Sequence, residues 1–98
     1  MIQTLKHTLI ALLFTFVGGF AMADTYEANT DRPGYDFSNF DLVAERPIVC
    51  QWQCQKNKRC KAWTYVKPGF QGPTPRCWLK TRAPRAVPNN CCVSGIIR

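Results

Sequence analysis

Six cysteines carry most of the chemistry open to this 98-residue chain, and all of them lie between Cys50 and Cys92. They are Cys50, Cys54, Cys60, Cys77, Cys91 and Cys92, and all three tryptophans (Trp52, Trp63 and Trp78) share their stretch. Thiols at this density can bind metal, exchange disulfides or staple a fold. Cys50, Cys54, Cys60 and Cys77 supply enough ligands for zinc. The Cys-x3-Cys spacing and an export signal at the N-terminus favour disulfides instead, so neither metal nor cofactor is expected. The adjacent Cys91 and Cys92 could do redox work only if exposed and acidic, and a structural ring or buried pair is the preferred reading.

What is missing decides as much. The single histidine is His7, near the N-terminus. The rest of the chain therefore lacks Ser-His-Asp or Cys-His machinery and any imidazole ligand. A glycosidase needs two facing carboxylates, but Asp31, Asp36 and Asp41 crowd one short segment with no evident pocket behind it. Enzyme activity is not expected, and no catalytic residue is nominated.

Something must position these cysteines, and the N-terminus says where. Met1 to Thr8 carries Lys6, Leu9 to Phe20 is an almost unbroken apolar run, and Ala21-Met-Ala23 closes it. This pattern reads as a secretory signal peptide over 1–23. A membrane anchor would need about 20 apolar residues, and the run is shorter. No transmembrane anchor is expected after cleavage. The mature chain would hold about 75 residues, a size at which apolar burial alone is insecure and disulfides are the usual remedy in an exported chain. The expected location is periplasmic or extracellular.

Charge is segregated. All six carboxylates precede residue 46, and eleven basic residues run from Arg46 to Arg98. Such a field attracts acidic partners, unless the acidic segment folds back and neutralises part of it. Nucleic acid is not an expected partner, since no recognition motif is present and an exported protein rarely meets it.

Residues 24–30 show no periodicity and are expected to be a flexible arm, with the domain spanning 31–98. Asp31-Arg-Pro-Gly34 is a turn signal. Tyr35 to Val43 reads as two short strand pieces with a phase slip near Ser38-Asn39. Pro47 suits the first turn of a helix, which runs on to about Asn57 and stacks Cys50 and Cys54 on one face. Arg46 is a poor N-cap, so packing and disulfides are expected to hold this helix. Cys60 to Val66 alternates, with Cys60, Ala62, Thr64 and Val66 opposed to Lys61, Trp63, Tyr65 and Lys67. Pro68 to Pro75 must be loop, with Phe70 near its tip. Arg76 to Thr81 alternates again, 82–90 reads as loop, and Cys91 to Ile97 as a last short strand.

Six cysteines allow fifteen pairings. In the pairing that this geometry favours, Cys54–Cys60 closes the short return and Cys50–Cys77 ties the helix to a strand. Cys91 and Cys92 are left over. Neighbouring Cα atoms are about 3.8 Å apart, below the usual disulfide span. A vicinal bridge, two free thiols and a bond to another chain are all open, and the vicinal bridge is favoured.

The order Cys-x3-Cys on a helix, Cys60-Lys-Ala-Trp-Thr-Tyr65, Arg76-Cys-Trp-Leu-Lys80 and Cys91-Cys-Val-Ser-Gly95 resembles the PAN/apple superfamily. It is most similar to the short bacterial form, which also opens with an Asp-Arg-Pro-Gly segment. The resemblance covers about residues 31–96. It implies an α+β fold, a curved antiparallel sheet of about five strands crossed by one short helix. It also implies two core disulfides among Cys50, Cys54, Cys60 and Cys77. The additional disulfide that joins the termini of longer apple domains has no counterpart, because no cysteine lies between Ala23 and Cys50.

Members of that superfamily are mostly extracellular modules that bind proteins or carbohydrates. The expected function is therefore an exported, non-catalytic binding module for a protein or an acidic glycan. The alternative is a small cationic inhibitor or effector whose loops plug an enzyme cleft. If the helix covers the cysteine-bearing face, Trp63, Tyr65 and Trp78 share the other with Lys61, Lys67, Arg76 and Lys80. Aromatic planes beside cations suit a sugar ring or a protein hot spot, although Trp63 is assigned to the core in either case. Phe70 on its Pro/Gly loop completes the candidate contact set.

Overall fold

The computed structural model describes residues 23–98. The expected signal segment lies outside them except for Ala23. Five strands and one helix follow in the order β1 (Glu27–Asp31), β2 (Asp36–Asp41), α1 (Pro47–Gln55), β3 (Ala62–Val66), β4 (Arg76–Lys80) and β5 (Val87–Ile96). The strands form one open sheet in the order β1-β5-β3-β4-β2, with every neighbouring pair antiparallel. This is an α+β fold in which β3, the strand buried along its whole length, lies at the centre. No helix among the described residues is long and apolar enough to cross a membrane.

Helix α1 starts as Pro47 dictates, with Pro at its first turn and no side-chain cap from Arg46. Its retention depends on what it touches. Cys50 and Cys54 are fully buried on one face, as positions four apart on a helix must be if either is. Cys50 is bonded to Cys77 of β4 (Cα–Cα 5.4 Å) and Cys54 to Cys60 (5.2 Å). Around them pack Leu42, Trp63, Tyr65, Leu79 and Val93. This layer between helix and sheet is the main core.

Strands β2 and β3 run parallel, because each is antiparallel to β4 between them, so α1 is a crossover on one sheet face. The same argument makes β4 parallel to β5 and β1 parallel to β2. Their links, residues 81–86 and 32–35, must therefore cross the sheet as well. They use the far face, and Arg32 joins them there. Its Nη1 donates to the Pro84 carbonyl, while its Nε and Nη2 donate to the two Glu27 carboxylate oxygens at 2.8 and 2.7 Å. The two faces of one small sheet are thus roofed differently, by helix on one side and by crossing chain on the other.

The Arg32 fork holds the Glu27 carboxyl below its usual range, chiefly by hydrogen bonding, against some desolvation. A carboxyl depressed on folding stabilises at pH values above its unfolded value of about 4.3, and the gain is lost as pH falls through the folded value. Wild type should therefore lose more stability on acidification than Glu27→Gln does, in parallel denaturant titrations at neutral and acid pH. Equal losses would remove this pair from the acid response.

Three sequence expectations change. The arm expected at 24–30 is not an arm: residues 27–31 form β1, an edge strand on β5, and Thr25 N donates to Ile96 O at 2.9 Å. Its lack of periodicity has a local cause, a bulge at Asn29 (φ 51°) between the pairs Ala28↔Val93 and Thr30↔Pro88. The slip expected near Ser38-Asn39 lies one residue earlier, between Asp36 and Ser38, inside a continuous β2. β5 is a ten-residue strand rather than a short one from Cys91. Pro88 is tolerated because β3 reaches only to Cys92, so at Pro88 the strand pairs with β1 alone.

Candidate functional site

The register fixes which side chains share a face, because directly opposed residues on antiparallel strands point the same way. Trp63 lies opposite Leu79 and Gly95, and Tyr65 opposite Cys77 and Val93. All of these face α1. The far face carries Thr64, Trp78 and Ser94 in one row, with Val66, Arg76 and Cys92 in the next. From β2 come Asp36 beside Lys80, Asn39 beside Trp78 and Asp41 beside Arg76.

The expected contact face is therefore split. Trp63 is fully buried and Tyr65 is 2% exposed, both under the helix. Burial pushes the Tyr65 phenol up, as befits a core group. The sequence reading placed Cys60 in phase with β3, so that the cysteine side of the strand carried Ala62 and Thr64. Instead Cys60 lies in the turn before the strand, its N–H bonded to Asn57 O, and β3 begins at Ala62. A break of this kind between Cys60 and Ala62 puts the even-numbered residues away from the helix.

On the far face a pocket of about 450 Å³ opens. Its floor is Thr64, Val66, Trp78 and Lys80; Pro33, Gly34 and Asp36 form one wall, Phe70 and Gln71 another, and Asn89, Cys91 and Cys92 the third. Each wall has a local cause. Gly34 (φ 108°) takes a conformation that side chains rarely adopt, which turns the chain after Pro33 back toward β2. The Phe70 loop closes on itself through Gly69 N to Gly72 O at 2.7 Å, and Gln71 Oε1 accepts from Trp78 Nε1 at 2.9 Å. That bond fixes the indole plane. Phe70 remains 54% exposed at the rim.

Cys91 and Cys92 are joined to each other, with Cα atoms 3.7 Å apart. The bonded pair packs with Val66 and Trp78 as a second apolar cluster, separate from the helix core. Disulfide sulfur is soft and polarizable, so this corner offers an apolar platform beside an indole. Polar groups surround it. Thr64 Oγ1 and Ser94 Oγ share a hydrogen bond of 2.8 Å, and Ser94 Oγ donates on to Thr30 O. Lys80 Nζ reaches Asp36 Oδ1 at 2.6 Å and Gly34 O at 3.3 Å.

The remaining cationic candidates have different fates. Lys80 is almost wholly buried and neutralised by Asp36. Arg76 pairs with Asp41 at 2.8 Å and also contacts Asn39, and its guanidinium holds the Asp41 carboxyl below the usual range. Lys67 lies outside the pocket, donating to Asn90 O at 2.8 Å. Lys61 is exposed at the opposite end of β3. Of the seven contact candidates, the structure brings Phe70, Trp78 and Lys80 to one pocket and leaves Lys61, Tyr65, Lys67 and Arg76 out of it. The pocket adds Asp31, Asp36, Thr64, Gln71 and Asn89, which sequence reasoning did not nominate. The alternation of Arg76 to Lys80 could have suggested a carboxylate such as Asp36, since a buried lysine must find a partner.

No curated protein and no solved structure matches the chain. The family model described as PAN domain matches residues 30–80, just over half of the chain, from the end of β1 through β4. That span includes α1, both disulfides of the helix, and two of the pocket's three walls. By this match, the chain belongs to the PAN domain family.

Proposed function

We propose that the protein is an exported, non-catalytic binding module whose ligand enters the far-face pocket, and that the ligand is a hydroxyl-rich sugar ring. PAN domains generally mediate protein or carbohydrate binding, and three disulfides suit an oxidising compartment. One observation carries the choice of ligand: the Trp78 indole on the floor and the Cys91–Cys92 pair in the wall beside it form an apolar corner in a concavity that also carries short polar side chains. A pyranose presents an apolar face and a hydroxylated edge, which matches this lining. The pocket holds Asp31 and Asp36 against Lys80 alone, so its charge supports a neutral ring over an acidic one. Phe70, although exposed at the rim, is one of the lining residues of a concavity, which supports a receptor more than a plug-type inhibitor.

Trp78→Ala tests this, because Trp78 is half-buried and outside the helix core. The oxidised protein and the variant are screened on arrays of neutral and acidic glycans, and hits are titrated by calorimetry. Trp78→Ala should weaken a specific hit at least about tenfold, as loss of a central aromatic anchor does, with the fold retained by circular dichroism. Absence of any glycan hit by wild type would transfer the pocket to a protein ligand, with exposed Phe70 as its first contact.

A further inference from the structure

Nine cations form no ion pair among the described residues, and five of them gather at one end of the domain. Arg32, Arg76 and Lys80 are spent on Glu27, Asp41 and Asp36. Lys56, Lys58, Arg59, Lys61 and Arg82 are exposed and take part in no ion pair among the described residues. Local structure brings these five together. After α1 the chain turns tightly, with Asn57 N bonded to Cys54 O and Cys60 N to Asn57 O. Lys61 N then bonds Lys80 O at the end of β4, and Thr81 N bonds Tyr35 O just before β2. The helix exit, the start of β3 and the end of β4 thus present their basic residues side by side.

Two of these cations are held by rings instead of carboxylates. Arg59 Cζ stands 4.5 Å from the Phe37 ring centroid, and Arg82 Cζ 5.6 Å from that of Tyr35. The two rings are two residues apart on one segment. An aromatic face steadies a guanidinium without cancelling its charge, which leaves the N–H fork free for a phosphate. Of the two carboxylates at this end, one is neutralised and the other is engaged in hydrogen bonds. Asp36 pairs with Lys80, and Asp24 accepts from Arg98 N and Gln55 Nε2.

None of the five lines the far-face pocket or either of two further concavities among the described residues. Nothing there encloses a single anion, whereas a layer of repeated phosphates can touch all five at once. Tyr35 is 53% exposed beside Arg82, and Trp52, one helical turn before Lys56, is 46% exposed. Half-exposed aromatics beside cations suit the headgroup region of a bilayer. We propose that this end of the domain docks on an anionic lipid surface through headgroup phosphates, independently of whatever fills the pocket.

The test is cosedimentation of the oxidised full chain with vesicles of phosphatidylcholine alone or mixed with phosphatidylglycerol, at low and moderate salt. The N-terminal segment, with Lys6 beside its apolar run, is common to every variant, so its contribution cancels when variants are compared. Binding should require phosphatidylglycerol and weaken with salt. Arg59→Gln and Arg82→Gln should each lower the partition coefficient about fivefold, equivalent to about 1 kcal/mol. Lys67→Gln and Arg85→Gln, a control pair at the other end of the sheet, each remove one charge and should each have less effect than either of these changes. An equal loss from either control would reduce the effect to net charge and overturn the site. Binding to soluble polyphosphate with the same residue dependence, but no preference for anionic vesicles, would overturn the lipid surface as its occupant. Circular dichroism confirms that each variant folds.

Discussion

Gly95→Ala is expected to destabilise the domain by about 3 kcal/mol or more, the upper range for inserting one methyl into a closed core. In a domain this small that is much of the total stability. A Cβ at Gly95 would lie 2.2 Å from the Thr25 carbonyl oxygen and 2.6 Å from Trp63 Nε1. Neither neighbour can give way. Thr25 is tied by its own N–H to Ile96 O and by its hydroxyl to Ile96 N, so moving it unzips β5. Trp63 is fully buried at the centre of the helix core, and its indole N–H rests against Gly95 without a hydrogen-bond partner. The measurement is urea denaturation of wild type, Gly95→Ala and Gly95→Ala with Trp63→Phe. The double variant should recover only part of the loss, because the clash with Thr25 O remains. A Gly95→Ala midpoint within error of wild type would mean that neither Thr25 nor Trp63 packs against this position in solution.

Loss of Cys50–Cys77 should be at least as large. The bond spans 27 residues and Cys54–Cys60 spans 6. Chain entropy then assigns about 3.5 kcal/mol to the first and about 2 kcal/mol to the second. Packing widens the gap. Cys50 and Cys77 are both fully buried, and their bond directly joins α1 to a sheet strand, whereas Cys54–Cys60 only closes the helix exit. Paired alanine variants, Cys50→Ala with Cys77→Ala and Cys54→Ala with Cys60→Ala, compared by thermal melting, check the order. The first pair should lose cooperative folding or melt far lower, while the second should keep a cooperative transition. The reverse order would show that the helix is held chiefly by its local return.

Trp78→Ala makes a useful contrast with these two. It removes a larger side chain than either of them alters, yet the fold should survive. Trp78 packs on Val66 and the Cys91–Cys92 pair, outside the layer between helix and sheet. Large losses of stability and large losses of binding are thus expected from different faces of one sheet.

Much of the fold was legible in local chemistry. Pro47 and the four-residue spacing of Cys50 and Cys54 announce α1 and its buried face. The alternation in Arg76 to Lys80 announces β4, and the prolines and glycines of 68–75 exclude a strand there. Each signal is complete within a few residues. β1 was not legible, because a bulge at Asn29 spoils its alternation and its pairing partner lies more than fifty residues away. The first half of β5 was hidden likewise, since Pro88 is acceptable only where the sheet beside it has ended.

The candidate site divides in the same way. By itself the sequence determined that the chain would be stapled by cysteine, would lack histidine chemistry after His7, and would carry its aromatics and cations on short strands. It could not determine which of them share a surface. That depends on the phase of β3 against β4, and the turn at Cys60 changes that phase between the cysteine and the strand. In a sheet one such break moves every side chain to the other face, which sent Trp63 and Tyr65 to the core and left Trp78 over the pocket. Only the tertiary structure could pair Lys80 with Asp36 or set the joined Cys91 and Cys92 beside Trp78. Those contacts are made across strands, and no spacing along the chain encodes them.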